Sequence, residues 1–292
     1  PPFFEMRHRI VWSKVEIVHE IEKIQHPVIR EGLRDLKYGD DIGLDIHYQA
    51  DLPARSGMGS SSSFAVGFIN ALTGLKGKTI AKHELALKAI NLEQNILKEA
   101  VGVQDQLAAA YGGLNRMDFQ QNGQISVAPV IISPQRTAEL GSHIMLFYTG
   151  LTRYSFEIAS TIIANLPKRK SNMERINEMV DEGINILTGG GSLVPFGQLL
   201  NEGWQMKRSL SEGISNSKID DIYNSALENG AMGGKLLGAG GGGFFMFFVA
   251  PKNQTRLKEH LKDLLYVPAK LSSQGSSIIH YEAEPAFLNG VN

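Results

Sequence analysis

The sequence has 292 residues, 42% hydrophobic and 20% charged, and its 29 basic and 30 acidic side chains give a formal net charge of −1. A chain of this length buries a sizeable core in one or two domains. Its near-neutral charge provides no general attraction to nucleic acid or to an anionic membrane. The absence of cysteine excludes disulfides, thiolate metal sites and thiol nucleophiles. The longest apolar run, residues 244–250, is far shorter than the ~20 residues of a membrane span, and we expect a cytoplasmic protein.

The first half of the chain mixes predicted strands and helices. Hydrophobic periodicity predicts strands over residues 9–13, 44–52, 124–130 and 142–148, and helices over residues 61–72, 83–101 and 105–111. In the last of these helices Asp105 is expected to be an acidic N-cap, and Gly112 is expected to end the helix.

The second half is predicted to be mostly helical. Helices are predicted over residues 172–187, 194–210, 218–229 and 254–265, and strands over residues 244–250 and 276–282. Strands and helices without a regular βαβ rhythm favour an α+β fold. A change of pattern near residues 149–153 predicts two domains, residues 1–150 and 151–292.

Residues 53–63, PARSGMGSSSS, stand between a predicted strand and a predicted helix. Gly57 and Gly59 allow the backbone to approach a ligand closely. A helix start offers unpaired N–H groups at the positive end of its dipole. The arrangement therefore indicates an anion site, most often for phosphate. The alternative is a glycine turn followed by a serine helix cap.

Two acidic residues are candidates for chemistry. Glu93 lies away from the polar stripe of its predicted helix, and its neighbours three and four residues away are apolar. A buried carboxylate needs a partner, which is either a metal ion or an Arg or backbone N–H in the core. Asp105, in GVQDQ, is either the N-cap described above or a base that points into a cleft.

The glycine-rich run over residues 233–243, GGKLLGAGGGG, indicates that another backbone or a ligand passes very close to it. Lys235 adds a cation to this run. Trp204, Lys207 and Arg208 lie within two turns of one predicted helix, and their alternative interpretation is a core tryptophan with solvated cations outside. The histidines show no spacing typical of a zinc site.

Together these segments resemble the GHMP kinases, the family of galactokinase and of homoserine, mevalonate and phosphomevalonate kinases. Residues 53–63 resemble the second motif of that family, and residues 233–247 resemble the third. The resemblance extends over nearly the whole chain. Residues 1–5, 102–113 and 196–211 are most similar to kinases of D-glycero-D-manno-heptose 7-phosphate, near relatives of the L-fucose kinases.

The resemblance implies a fold and a set of roles. The fold is a two-domain GHMP kinase fold, with an N-terminal domain like domain 2 of ribosomal protein S5 and a ferredoxin-like C-terminal domain. Asp105 is implied as the catalytic residue, and Ser61 and Glu93 as ligands of Mg²⁺. The implied contacts to the ATP phosphates come from Gly57, Met58, Gly59, Ser60, Ser61 and Ser62. The implied acceptor contacts come from Gly240, Gly241, Arg153, Lys207, Arg208 and Lys235.

The expected activity is ATP-dependent phosphorylation of the anomeric hydroxyl of D-glycero-D-manno-heptose 7-phosphate, which gives the 1,7-bisphosphate. The alternatives are an L-fucose kinase or a galactokinase-like sugar kinase, and a non-catalytic nucleotide or sugar sensor on the same fold. The expected partner is a small sugar or sugar phosphate, with no nucleic acid and no membrane. The first motif of the family is absent from this sequence, and we expect either that the numbering begins after it or that the chain is truncated. The identity of the acceptor therefore rests on the later motifs.

Overall fold

The computed structural model describes residues 7–52, 56–151, 155–271 and 274–282. They form two compact units. The first holds the described residues up to 52, residues 59–113 and residues 274–282, and the second holds residues 56–58 and 114–271. Each unit is a set of residues that lie close together in space. Such units do not test the domain boundary predicted at residue 150, which stays a prediction.

The first unit contains a three-stranded sheet and four α-helices. Strand β1 pairs with β2 in antiparallel and with β3 in parallel orientation. The elements are β1 (His8–Val11), β2 (Val15–Val18), α1 (Pro27–Asp35), β3 (Asp45–His47), α2 (Ser60–Leu75), α3 (Lys82–Ile90) and α4 (Gln104–Tyr111).

The core of the first unit forms where α1 and α2 cover β1. Ile10 of β1, Ile29 and Leu33 of α1, and Phe68 and Leu72 of α2 are all buried in it. Helix α1 contributes because its apolar residues fall on one stripe at helical spacing. This packing fixes α2 against α1 and β1.

The segment after α3 differs from the uninterrupted helix predicted over residues 83–101. A π-helical segment, Asn91–Ile96, follows α3 directly. The helix then ends near Leu97, and Lys98 adopts a left-handed conformation with φ of 58°, the geometry that commonly terminates a helix. Periodicity analysis assumes 3.6 residues per turn, so it does not detect this change of winding.

The second unit contains a four-stranded sheet in the order β7-β8-β6-β9, in which every neighbouring pair is antiparallel. A separate hairpin pairs β4 with β5. The succession of strand, helices, two strands, helix and strand is the ferredoxin-like arrangement. The elements are β4 (Asn115–Phe119), β5 (Ile125–Pro129), α5 (Pro134–Ser142), β6 (Ile144–Tyr148), α6 (Ser155–Asn165), α7 (Lys170–Thr188), α8 (Val194–Arg208), α9 (Ser217–Glu228), β7 (Ala231–Leu236), β8 (Phe244–Val249), α10 (Gln254–His260) and β9 (Leu265–Val267).

Strand β8 is buried on both faces, which explains its unbroken apolar sequence. Phe245 and Phe247 pack in the larger core, with Trp204 of α8 and Tyr223 of α9. Phe248, on the opposite face, packs in a smaller cluster with residues that include Leu140 and Leu187. A strand covered on both faces has no polar alternation.

Two predicted elements are wrong at the C-terminal end. Residues 276–282 form no strand; instead the Ser276 N–H donates to the carbonyl of Ala109, so this segment packs on α4. The helix predicted over residues 254–265 ends at His260, and Leu265 begins β9.

The α+β class is confirmed. No helix in the described part of the chain is long and apolar enough to cross a bilayer.

Helix α8 lies very close to β7 because glycines face each other across the contact. A methyl group on Gly233 would overlap the carbonyl oxygen of Gly197 and lie 2.7 Å from the amide nitrogen of Asn201. Both of these neighbours are backbone atoms, which have little room to move. The close approach therefore requires glycine at position 233.

We predict that Gly233→Ala lowers the free energy of unfolding by about 3 kcal/mol, because the methyl group forces α8 away from β7. The matched control is Gly190→Ala, since a methyl group there has no atom within 4 Å, and its effect should be below about 0.5 kcal/mol. Urea unfolding followed by circular dichroism measures both. Equal stability of the two variants would contradict this account of the packing.

Candidate active site

The start of α2, in the first unit, has the backbone geometry expected of an anion site. Gly59 is the N-cap in a left-handed conformation, with φ of 68°, and no side chain caps the helix. The first backbone bond of the helix runs from the N–H of Ser63 to the carbonyl of Gly59, at 2.9 Å. The N–H groups of residues 60–62 precede that bond, so they point out of the helix start. The serine cap is therefore wrong as an interpretation of this segment.

The preceding residues of the loop belong to the second unit, where glycines let two backbones touch. A methyl group on Gly57 would lie 2.7 Å from the carbonyl oxygen of Leu237, and one on Gly238 would lie 2.7 Å from the Cα of Gly57. The Phe244 N–H donates to the carbonyl of Ser56 at 3.1 Å. Within this unit, the third motif supports residues 56 and 57 backbone to backbone.

Glu93 is fully buried in the first unit and is held by two neutral donors. The Ser61 hydroxyl donates to Oε1 of Glu93 at 3.0 Å, and the Gln106 amide donates to Oε2 at 2.5 Å. Neither donor carries charge, and Glu93 forms no ion pair within the described part of the chain. The predicted core partner, an Arg or a backbone N–H, is not what the described residues provide.

The surroundings of Glu93 fit a divalent cation. A second carboxyl group, that of Glu99, lies near Glu93: burial, and then the charge of Glu93, raises its pKa. The described residues contain no group of three or more His or acidic side chains that could by itself hold a metal ion. Mg²⁺ needs only one or two protein carboxylates, because water and phosphate oxygens complete its shell. The exposed Ser61 hydroxyl and the Glu93 carboxylate are such a minimal donor set.

Asp105 lies in the first turn of α4, one residue inside the helix. The N-cap is Val103, and it makes no side-chain cap bond, so the expectation of an Asp105 N-cap is wrong. Asp105 is exposed, and a methyl group on Gly59 would lie 3.2 Å from its carboxyl group. The structure therefore brings Asp105 against the helix start that also carries Ser61.

The basic residues predicted as acceptor contacts differ in their positions and in their hydrogen-bond partners. Lys207 Nζ donates to the carbonyls of Leu236 and Gly238, and Arg208 pairs with Asp220 at 2.7 Å. Lys235 is the penultimate residue of β7. Arg153 lies outside the described residues. Roles for these cations in acceptor binding stay predictions.

Gly240 and Gly241, also predicted as acceptor contacts, pack on the segment around Ile214. A methyl group on Gly240 would lie 2.8 Å from the Cα of Ile214, and the Gly241 N–H donates to the Ile214 carbonyl at 2.9 Å. The geometry gives these glycines a packing function, and their predicted role toward an acceptor stays a prediction.

One residue of the site was not singled out by the sequence reasoning. Gln106 follows Asp105 directly, and its side chain is fully buried against Glu93. The available signal was the apolar face of the helix, since Gln106 lies one residue before the buried Leu107. A polar residue on such a face needs a partner, as Glu93 does.

Comparison with known proteins relates the whole arrangement to one family. The model of the GHMP kinases N terminal domain matches residues 15–113, and the model of the GHMP kinases C terminal domain matches residues 164–266. These two matches contain Ser61, Glu93, Asp105 and the third motif.

Individual relatives agree with this assignment. D-glycero-alpha-D-manno-heptose 7-phosphate kinase of Campylobacter jejuni is 32% identical over 223 residues, which cover 76% of this chain and 66% of the relative. The bifunctional fucokinase/GDP-fucose pyrophosphorylase of Arabidopsis thaliana is 25% identical over 257 residues, 84% of this chain and 24% of the relative. The chain thus spans just under two thirds of the first relative and about a quarter of the second.

The fold has solved counterparts as well. The crystal structure of a D-glycero-D-manno-heptose 1-phosphate kinase from Bacteroides thetaiotaomicron superposes with a TM-score of 0.73 at 23% identity, covering 94% of this chain and 83% of that chain. At this identity the likeness concerns the fold alone. Both halves of the chain match their family models, in the expected order, and the chain belongs to the GHMP kinase family.

Proposed function

We propose that this protein transfers the γ-phosphoryl group of ATP to an alcohol group of a sugar or sugar phosphate, with Mg²⁺ as cofactor. The observation that carries the proposal is the fully buried Glu93 carboxylate, hydrogen-bonded to Ser61 at the start of α2 and without a cation in the described part of the chain. Membership of the GHMP kinases and the named kinases among the relatives support it.

The start of α2 binds the phosphates of the nucleotide in this proposal. The N–H groups of residues 60–62 and the helix dipole favour a polyanion there. They also stabilise the charge that develops on the departing diphosphate. Gly59 suits this phosphate site because its left-handed φ turns the chain into the helix and no side chain covers the phosphates.

Ser61 and Glu93 would hold Mg²⁺, which supplies charge neutralisation for the transferred phosphoryl group. Glu93 contributes the negative charge, and its burial keeps competing water away from the carboxylate. The Ser61 hydroxyl donates its proton to Glu93, so its oxygen lone pairs face away from the carboxylate. In this proposal Glu93 supplies negative charge to the cation, and Ser61 supplies an oxygen whose orientation its hydrogen bond to Glu93 fixes.

Asp105 acts on the acceptor in this proposal. Its carboxylate accepts the proton of the acceptor hydroxyl or orients that hydroxyl toward the γ-phosphorus. Its exposure leaves it accessible to an incoming alcohol. Its contact with Gly59 holds it beside the helix start that receives the phosphates.

For the acceptor we propose D-glycero-D-manno-heptose 7-phosphate, phosphorylated at its anomeric hydroxyl. The support is the C. jejuni relative of that name, at 32% identity. L-Fucose and galactose are the alternative acceptors, and the fucokinase relative supports the first of them. A non-catalytic sensor is disfavoured, because Glu93, Ser61 and Asp105 are all present in one unit.

The direct test is a coupled assay with Mg·ATP and a panel of heptose 7-phosphate, heptose 1-phosphate, L-fucose, galactose and mevalonate. We expect the highest kcat/KM with heptose 7-phosphate and a 1,7-bisphosphate product by phosphorus NMR. Preference for a plain sugar would overturn the acceptor and leave the kinase activity standing. Nucleotide binding without phosphorylation of any panel member would favour the sensor.

Glu93→Gln should raise the Mg²⁺ concentration required for half-maximal activity and lower kcat, because the charge that attracts the cation is lost. The fold should persist, because the carbonyl oxygen of the new amide still accepts a hydrogen bond from one neighbour. Its NH₂ group can donate to the Ser61 hydroxyl once that hydroxyl rotates. The control is Glu84→Gln, the same change at an exposed position of α3.

Melting temperature and Mg²⁺ titration on the same preparations separate binding from folding. A core role for Glu93 predicts a loss of about 1–3 kcal/mol of stability with an unchanged Mg²⁺ requirement. That result would remove Glu93 from the metal site.

Asp105→Asn should lower turnover by roughly 10²–10⁴, the usual effect of losing a general base. Because Asp105 lies in the first turn and is not the cap, the stability cost is a weakened helix-dipole interaction of below about 1 kcal/mol. Asp221→Asn, an exposed charge removal in α9, is the control. Turnover at the wild-type level, measured where chemistry limits the rate, would leave Asp105 without a catalytic role.

A further inference from the structure

Gln106 is a fully buried amide that points at the Glu93 carboxylate from a third structural element. Its Nε2 donates to Oε2 of Glu93, while its Oε1 is buried with no hydrogen-bond partner among the described residues. Helix α4 packs against both α2 and α3, so its side chains reach the place where Ser61 and Glu93 meet.

The direction of this amide is set by the charge beside it. An ionised carboxylate only accepts hydrogen bonds, so the NH₂ end must face Glu93 and the carbonyl end must face away. The unpartnered Oε1 is unfavourable in a buried place. A hydrocarbon side chain of similar length would avoid that cost, so the bond to Glu93 is what the amide contributes here.

The bond restrains the carboxylate. With Oε2 tied to Gln106 and Oε1 tied to Ser61, the carboxyl group cannot rotate about its last bond without losing a partner. Both donors are neutral, so they fix the orientation of Glu93 and leave its charge uncompensated. A carboxylate held in this way is prepared for a cation beside Ser61.

We propose that Gln106 is a positioning residue for the metal ligand Glu93, and that it sets the affinity of the Ser61–Glu93 pair for a divalent cation. The inference rests on the proposed function, since it assumes that Glu93 binds Mg²⁺. Gln106 directly follows Asp105 in the first turn of α4. One helix turn therefore carries both the proposed base and the group that orients the metal ligand.

The test compares Gln106→Met with Gln104→Met. Methionine matches glutamine in length and lacks the amide, and Gln104 is an exposed residue one position before Asp105. Calorimetry measures ADP binding in EDTA and then across a Mg²⁺ series, and Mn²⁺ electron paramagnetic resonance reports cation binding directly. Melting temperatures confirm folding.

We expect Gln106→Met to weaken the apparent Mg²⁺ and Mn²⁺ affinity by 10–100-fold, the usual effect of losing a group that orients a metal ligand. ADP affinity in EDTA should stay at the wild-type value, because the start of α2 is intact. Gln104→Met should match the wild type in both measurements. A general disturbance of the site would instead weaken ADP binding in EDTA as well, and that result would overturn the positioning role.

The remaining outcomes separate this inference from the function on which it rests. Cation affinity that is unchanged in Gln106→Met, in a protein that binds Mg·ADP, would overturn the inference alone. A wild-type protein with no Mg²⁺-dependent nucleotide binding would overturn the proposed function. If Gln106→Met does not fold, Gln106→Asn replaces it, since its amide is one methylene too short to reach Glu93, and the same loss of cation affinity is expected.

Discussion

The buried Glu93 carboxylate, with neutral donors on both oxygens, imposes the strongest constraint on the first unit. An ionised group without water is costly to bury unless it is paired or bound to a metal. Ser61 comes from the start of α2, Gln106 from the first turn of α4, and Glu93 from the π-helical segment after α3. Three elements must therefore pack closely for the carboxylate to be hydrogen-bonded at all. The packing that stabilises the unit and the arrangement of the proposed metal site are the same contacts.

The π-helical segment belongs to this constraint. A π turn adds a residue to the helical winding, and such turns often occur at functional sites. Here it includes Glu93, and the chain leaves the helix soon afterwards through the left-handed Lys98. The carbonyl of Glu93 accepts from the N–H of Glu99, so the backbone around the carboxylate stays bonded while the helix changes its pitch. A regular helix would have turned the following residues to a different face.

Sequence reasoning identified Glu93 because a carboxylate among apolar helix neighbours is an anomaly that one segment reveals. It identified the start of α2 for the same reason, since glycines and a helix start are local features. It did not identify Gln106, because the reason for a buried amide lies in the distant Glu93. The N-cap assigned to Asp105 was wrong because helix α4 begins one residue earlier, at Gln104. Patterns within one segment indicate which polar side chains have unusual surroundings. Packing between helices decides which groups those side chains contact.

The strand predicted over residues 276–282 is wrong for a similar reason: a local pattern does not show which surface the segment packs against. Its sequence, SSIIHYE, contains β-branched and aromatic residues that favour strands, but such residues form a strand only where a sheet edge is available to pair with them. In the first unit this segment follows helix surfaces instead: Asn70 of α2 donates to the hydroxyl of Ser276, and a methyl group on Gly275 would overlap the carbonyl of Ala110 in α4. The segment thus contacts the two helices whose opposite ends carry Ser61 and Asp105. Its hydrogen bonds tie α2 to α4 at the far end from the proposed chemistry, which adds to the rigidity that a preorganised site requires.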